Sequence, residues 1–139
     1  MPALSPKVSV VLPFYNAGKT LSEALKSISD QDFPDFECVM VNNNSEDGSR
    51  DIAAGWAHDD SRFRLLEEKR QGVMFASNRG CDAARGTYIA RMDADDISVP
   101  QRLETQVAFM DINMDIGICG TGVEYIEDKK IIFTPCFSL

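Results

Sequence analysis

The chain has 139 residues, of which 44% are hydrophobic and 26% charged, and 22 acidic residues outnumber 14 basic ones to give a net charge of −8. These values describe one globular domain with a core of its own. They exclude a bulk electrostatic hold on nucleic acid or anionic lipid, so a phosphate-bearing ligand must be gripped locally, by a few cations or by a metal ion.

Residues 8–12 are apolar except for Ser9 and predict a buried strand, with 13–18 as a loop. Leu21, Leu25 and Ile28 fall at i, i+4 and i+7, one face of a helix. Pro34 and Asp35 predict a turn, residues 36–41 a second strand, and 42–48 a polar loop in which Ser45 or Asp47 caps the next helix. That helix buries Ile52, Ala53 and Trp56. Residues 63–66 predict a short third strand and 67–72 a loop. Val73, Ala76, Gly80 and Ala83 keep helical spacing, and 87–92 predict a fourth strand. Ser98 and Pro100 signal a helix start, with Leu103, Val107 and Met110 on its inner face. Residues 116–119, 122–126 and 131–134 are further strand candidates. The cysteines Cys38, Cys81, Cys119 and Cys136 form no C-x-x-C and read as reduced thiols of a cytoplasmic protein. The run at 8–12 is too short for a signal peptide, and no segment is long enough to span a bilayer.

Strands and helices alternate four times, which predicts an α/β fold: a mainly parallel sheet with helices on both faces. Ligands of such sheets bind beyond the carboxyl ends of the strands. Here those ends carry Pro13 to Asn16, then Asn42, Asn43, Asn44 and Ser45, then Lys69 and Arg70, then Asp93, Ala94, Asp95 and Asp96. Hydrogen-bonding groups, an aromatic ring, cations and carboxylates therefore converge on one rim. Two carboxylates about 4 Å apart repel by about 4 kcal/mol at an effective dielectric near 20. A cluster tolerates that when one member protonates or a cation sits between them. Oxygen ligands with no histidine nearby suit Mg²⁺ or Mn²⁺. The plainer assignment makes Asp95 and Asp96 turn and helix-cap residues, but the other rim groups favour the cation.

Three readings compete. Gly18-Lys19-Thr20 suggests a P-loop, but the glycine that motif needs five residues earlier is Pro13, which has no N–H to offer phosphate. A haloacid-dehalogenase-type phosphatase would use Asp93 as nucleophile and Asp95 as general acid. Its signature departs at Ile97 and belongs on the first strand, not the fourth. The third rests on several ordered motifs: residues 8–16, residues 35–37 leading into 41–49, Asn78-Arg79-Gly80, and residues 84–96 ending in Asp93-Ala94-Asp95-Asp96. Together they resemble the N-terminal nucleotide-sugar-binding part of family-2 glycosyltransferases, which have the Rossmann-like GT-A fold. The resemblance runs from about residue 7 to about residue 125.

That resemblance implies roles. Asp93 and Asp95, flanking Ala94, match a D-x-D that holds Mn²⁺ or Mg²⁺ against the diphosphate of a nucleotide-sugar. Asp95 is the implied direct ligand, and Asp93 the implied ribose contact. Pro13, Tyr15, Asn42, Asn43 and Asn44 match positions around the base and ribose, and Asn78 and Arg79 a motif beside the sugar diphosphate. Family members usually carry an aspartate where this chain has Asn42 and Asn43. The implied function is inverting transfer from a nucleotide-diphosphate sugar, a UDP-sugar being favoured, to a carbohydrate or glycolipid acceptor in polysaccharide or glycolipid synthesis. The alternative is a nucleotide-diphosphate-binding module without transfer. Residues 1–139 are expected to be a single domain that stops before the acceptor half and its catalytic base. The enzyme is expected to be cytoplasmic and, through segments outside this chain, peripheral to the inner face of the membrane. The strand candidate at 131–134 lacks a following partner and predicts a homodimer through that edge. His58 reads as solvated, Trp56 as core, and Glu124, Glu127 and Asp128 as a solvated edge.

Overall fold

A computed structural model describes residues 5–133. The elements in order are β1 (Val8–Phe14), α1 (Leu21–Ser29), β2 (Phe36–Asn42), α2 (Ser49–Asp59), β3 (Phe63–Glu67), α3 (Val73–Ala83), β4 (Tyr88–Arg91), α4 (Arg102–Ile112), β5 (Tyr125–Glu127) and β6 (Lys130–Phe133). The first four strands form one parallel sheet in the order β3-β2-β1-β4, and β5 and β6 form a separate antiparallel pair.

Strands β1 and β2 are buried along their whole length, because both faces of the sheet are covered and a doubly covered strand must be apolar throughout. On one face Val10, Leu12, Phe14 and Met40 pack with Leu21, Leu25 and Ile28 of α1, Ala53 of α2, and Leu103 and Val107 of α4. On the other, Val39 and Val41 pack with Ala76 of α3. Helix α3 lies close because residue 80 is glycine: a Cβ there would come within 2.5 Å of Val11 Cγ1. Helices therefore cover both faces, as expected. No helix among the described residues is long and apolar enough to cross a membrane.

The amino ends of the strands are locked by a buried carboxylate. Glu37 accepts hydrogen bonds from Ser9 Oγ at 2.7 Å, from the Arg85 amide at 2.8 Å and guanidinium at 2.6 and 2.9 Å, and from Arg64 at 3.0 Å. Burial alone would raise its pKa; the Arg85 and Ser9 hydrogen bonds outweigh that and hold it below the usual carboxylate range. Gly86 follows, where a Cβ would lie 2.6 Å from the Ser9 nitrogen. The Ala84-Arg85-Gly86 motif is thus architectural.

Several expectations need correction. Helix α4 begins at Arg102, after a turn at residues 100–101, and not at Ser98 or Pro100. Val73 is 61% exposed, because it opens α3 ahead of the face formed by Ala76, Ser77 and Gly80. Residues 116–119 form no strand, and Ile118 is 90% exposed. The strand expected at 122–126 is confined to Tyr125–Glu127. The candidate at 131–134 starts at Lys130 and pairs with the strand before it, Ile126 opposite Ile131; Thr134 lies outside the described residues. Asp128 and Lys129 join the two strands with φ of 48° and 63°. Two consecutive left-handed residues match the twist of a two-residue hairpin.

Candidate functional site

Strand β1 delivers Pro13, Tyr15 and Asn16 to the carboxyl rim. Pro13 is buried in the strand opposite Val41. Lys7 and Val11 accept from Tyr88 and Met92, so odd-numbered residues of β1 face β4. Pairing with β4 ends at Val11, so the missing N–H of Pro13 costs no ladder bond. Tyr15 is 52% exposed, and no hydrogen-bond or ring partner engages its side chain among the described residues. Asn16, at φ 48°, ties this loop to the one after β2: its amide donates to Ser45 Oγ at 3.0 Å, and its side-chain oxygen accepts from the Glu46 amide at 2.8 Å. The Gly18 amide donates to Asp47 at 2.9 Å. The loop before α1 is thus braced by a carboxylate, the opposite of a phosphate cradle. Asp47 also accepts from the Ser49 amide, but Gly48 stands at the start of α2 and no side chain caps it, so neither Ser45 nor Asp47 is the cap that was expected.

At the end of β2, three successive amides reach across to the last residue of β3 and the chain after it. Asn42 donates to Glu67 at 2.8 Å, and Asn44 to the Lys69 carbonyl at 2.7 Å. Asn43, 3% exposed, donates to the carbonyls of Glu68 at 2.9 Å and Arg70 at 2.8 Å and accepts from the Gly72 amide at 2.8 Å. The hydrogen-bonding groups expected to face a base are therefore engaged with the protein's own loop. That loop presents Arg70, which forks onto Glu68 at 2.8 and 3.0 Å and lies over the Phe75 ring at 4.8 Å. The fork, with the charge of Arg79 nearby, brings Glu68 down to about 2. Asn78 and Arg79 are exposed on α3.

Strand β4 delivers the carboxylates. Met92 and Ala94 point inward, while Asp93, Asp95 and Asp96 are exposed. Burial, and then the charges of Asp95 and Asp93, raise the Asp96 pKa, and Arg102 opposes them. Asp96 thus lies within the field of both neighbouring carboxylates. Among the described residues no three His, Cys, Asp or Glu side chains surround a common point. The donor set nevertheless fits a hard divalent ion, which commonly takes one or two carboxylates and completes its shell with substrate phosphates and water. The side chains of Asp93 and Asp95 have no hydrogen-bond or ion-pair partner among the described residues, and they project from a turn whose middle residue is buried. A cleft of about 880 Å³ opens beside them between α1 and the β5–β6 hairpin, lined in part by Thr20, Lys26, Asp95, Ile97 and Asp128.

The sequence reading overlooked what holds this turn. The Thr20 hydroxyl donates to the Ala94 carbonyl at 2.9 Å. Ser27 on α1 and Gln31 just past its end, polar yet buried, bond the segment that follows. Their spacing was the available signal: two polar residues four apart that continue the inward side of α1 past its end.

The sequence matches the profile of Glycosyl transferase family 2 over residues 9–135. EpsE of Bacillus subtilis (strain 168), whose name assigns it to the glycosyltransferases, is 40% identical over 125 residues, 88% of this chain and 45% of EpsE. Glycosyltransferase GlyG of Streptococcus pneumoniae serotype 4 is 36% identical over 118 residues, 82% of this chain and 39% of GlyG. Among solved structures, TarS 1–349 of S. aureus superposes with a TM-score of 0.72 at 28% identity, over 78% of this chain and 33% of that one. TarS 1–349 has also been solved with UDP-GlcNAc. The mannosyltransferase PcManGT of Pyrobaculum calidifontis, solved with GDP-Man and Mn²⁺, superposes with a TM-score of 0.69 at 30% identity, over 78% of this chain and 33% of that one. The chain thus spans less than half the length of each of these relatives.

Proposed function

Because the chain belongs to glycosyl transferase family 2, we propose that it is the donor-binding part of an inverting transferase that moves a sugar from a nucleotide-diphosphate sugar to an acceptor hydroxyl. The observation that carries this is the pairing, on one rim, of the unengaged carboxylates Asp93 and Asp95 with the unengaged ring of Tyr15. Tyr15 offers a stacking face to the base. Asp93 and Asp95 would hold Mn²⁺ or Mg²⁺. When bound, such an ion offsets the negative charge of the diphosphate, which this acidic chain could not otherwise attract. The exposed cation of Arg79 adds to that attraction. Asn42, Asn43 and Asn44 act through the loop they fix.

In the reaction, the acceptor oxygen bonds to the anomeric carbon as the bond from that carbon to the diphosphate oxygen breaks. The hydroxyl proton passes to a carboxylate base. Among downstream acids Asp111 is engaged elsewhere, at 2.8 Å from Lys7 and 2.6 Å from the Tyr88 hydroxyl. The base is expected in the acceptor half that the family resemblance implies. Relatives solved with UDP-GlcNAc and with GDP-Man support a nucleotide sugar and leave the choice of base open. Surface polysaccharide or glycolipid is the product class we favour.

Calorimetry tests this. UDP or GDP should bind at least about tenfold more tightly with Mn²⁺ than with chelator, a difference of about 1.4 kcal/mol. Asp95→Asn should remove the difference. Tyr15→Ala should weaken the nucleotides by about 1–3 kcal/mol and leave inorganic pyrophosphate unchanged. Equal affinity with and without metal would refute the metal role, and no binding of any nucleotide diphosphate would refute the donor site.

A further inference from the structure

We propose that Thr20 is a positioning residue for the Asp93-Ala94-Asp95 turn, and that α1 with its flanking residues, from Thr20 to Asp32, is the splint against which the whole segment from Ala94 to Leu103 is set. The proposal rests on the reading of that turn as the metal-diphosphate site. Thr20 occupies the residue before α1, where a threonine ordinarily turns its oxygen toward the first free helix amides. Here it makes no such cap. Its hydroxyl instead donates at 2.9 Å to the carbonyl of Ala94, 74 residues away and midway between the two aspartates. Its own backbone is fixed on both sides, the amide donating to Ala17 and the carbonyl accepting from Ala24.

The contact begins a series. Two turns along α1, Ser27 Oγ accepts from the Ser98 amide at 3.0 Å. Just past the end of α1, the Gln31 side chain donates to the Val99 carbonyl at 2.8 Å and accepts from the Leu103 amide at 3.0 Å. The Asp32 amide then donates to the Pro100 carbonyl at 2.9 Å. From the other flank, Arg102 donates to the carbonyl of Arg91, the last residue of β4, at 2.9 Å. The carboxylates thus project from a backbone held on both sides. That matters because Asp93, Asp95 and Asp96 repel one another, and no side-chain partner orients Asp93 or Asp95. Only the backbone aims them, and a ligand set loses its function when displaced by more than about 0.5 Å.

The test uses the 139-residue chain with three proteins: parent, Thr20→Val, which keeps the shape and loses the donor, and Thr20→Ser, which keeps the donor. Mn²⁺ affinity is read by electron paramagnetic resonance in the presence of saturating UDP, and UDP affinity by calorimetry in chelator. Thr20→Val should lower Mn²⁺ affinity about five- to tenfold, the effect expected for one lost hydrogen bond. It should leave chelator-measured UDP binding within about twofold, and hydrogen exchange should quicken at amides 94–96 but not at Val10 or Val39. Thr20→Ser should restore the parent affinity. Unchanged Mn²⁺ affinity in Thr20→Val would overturn the proposal. So would a Thr20→Ser variant as weak as Thr20→Val, which would point to the methyl group, or an equal loss of UDP binding in chelator, which would make Thr20 merely structural. A parent chain with no Mn²⁺-linked UDP binding would refute the donor-site reading itself, and this role with it.

Discussion

Asn43 donates to two carbonyls and accepts from the Gly72 amide, all in the loop that follows β3. An aspartate, which the family resemblance leads one to expect in this segment, has no proton to offer either carbonyl. The asparagine is therefore coupled to the course of this particular loop. Asn43→Asp should cost about 2–6 kcal/mol, since it strands two acceptors at about 1–3 kcal/mol each. Urea denaturation would measure it, and an unchanged midpoint would show that the loop has other support. The same residue marks the limit of what was legible. The type and position of Asn43 could be read from the chain, but its partners Glu68 and Arg70 lie 25 and 27 residues away. Asp93 and Asp95 were legible because a strand followed by crowded acids is a local pattern. Thr20 was not, because its function depends on a carbonyl 74 residues distant.

The parallel strands and the helices between them follow from local periodicity, and β1, β2 and α1 could be placed from apolar spacing alone. Strand candidates late in the chain fared worse. Residues 116–119 have the composition of a strand, but a strand also needs a neighbour to pair with, and pattern carries no information about neighbours. The hairpin formed instead where Asp128 and Lys129 accept left-handed backbone. Helix packing can be tested with two glycines of opposite prediction. In α3, Gly80→Ala gains about 1 kcal/mol of helix propensity but drives a Cβ to 2.5 Å from Val11 and 3.2 Å from Val41. Overpacking costs about 1–3 kcal/mol, so the net change should be a loss of up to about 2 kcal/mol. In α2, Gly55→Ala meets nothing within 4 Å and should stabilise by about 0.5–1 kcal/mol. Thermal melts of both variants would check the signs; stabilisation by Gly80→Ala would contradict the close approach of α3.

At the scale of the molecule, the two ends of the sheet do different work. The amino end is closed by Glu37, saturated by Ser9, Arg64 and Arg85. The carboxyl end, about 17 Å away along β1 at about 3.3 Å per residue, leaves Tyr15, Asp93 and Asp95 unengaged on a braced backbone. A chain with net charge −8 can accept a diphosphate only where that charge is locally reversed. Sequence motifs do not distinguish the two ends: Ala84-Arg85-Gly86 and Asp93-Ala94-Asp95 stand a few residues apart, yet one is architecture and the other, on our account, chemistry. The most direct test of this division is an amide chemical-shift titration of the ¹⁵N-labelled chain with UDP and Mg²⁺. The account predicts saturable shifts at Tyr15, Asn16, Asn44, Arg79 and residues 93–96, with Ser9, Glu37 and Arg85 unmoved. Shifts centred on Glu37 and Arg85, or no saturable shift at the carboxyl rim, would contradict it.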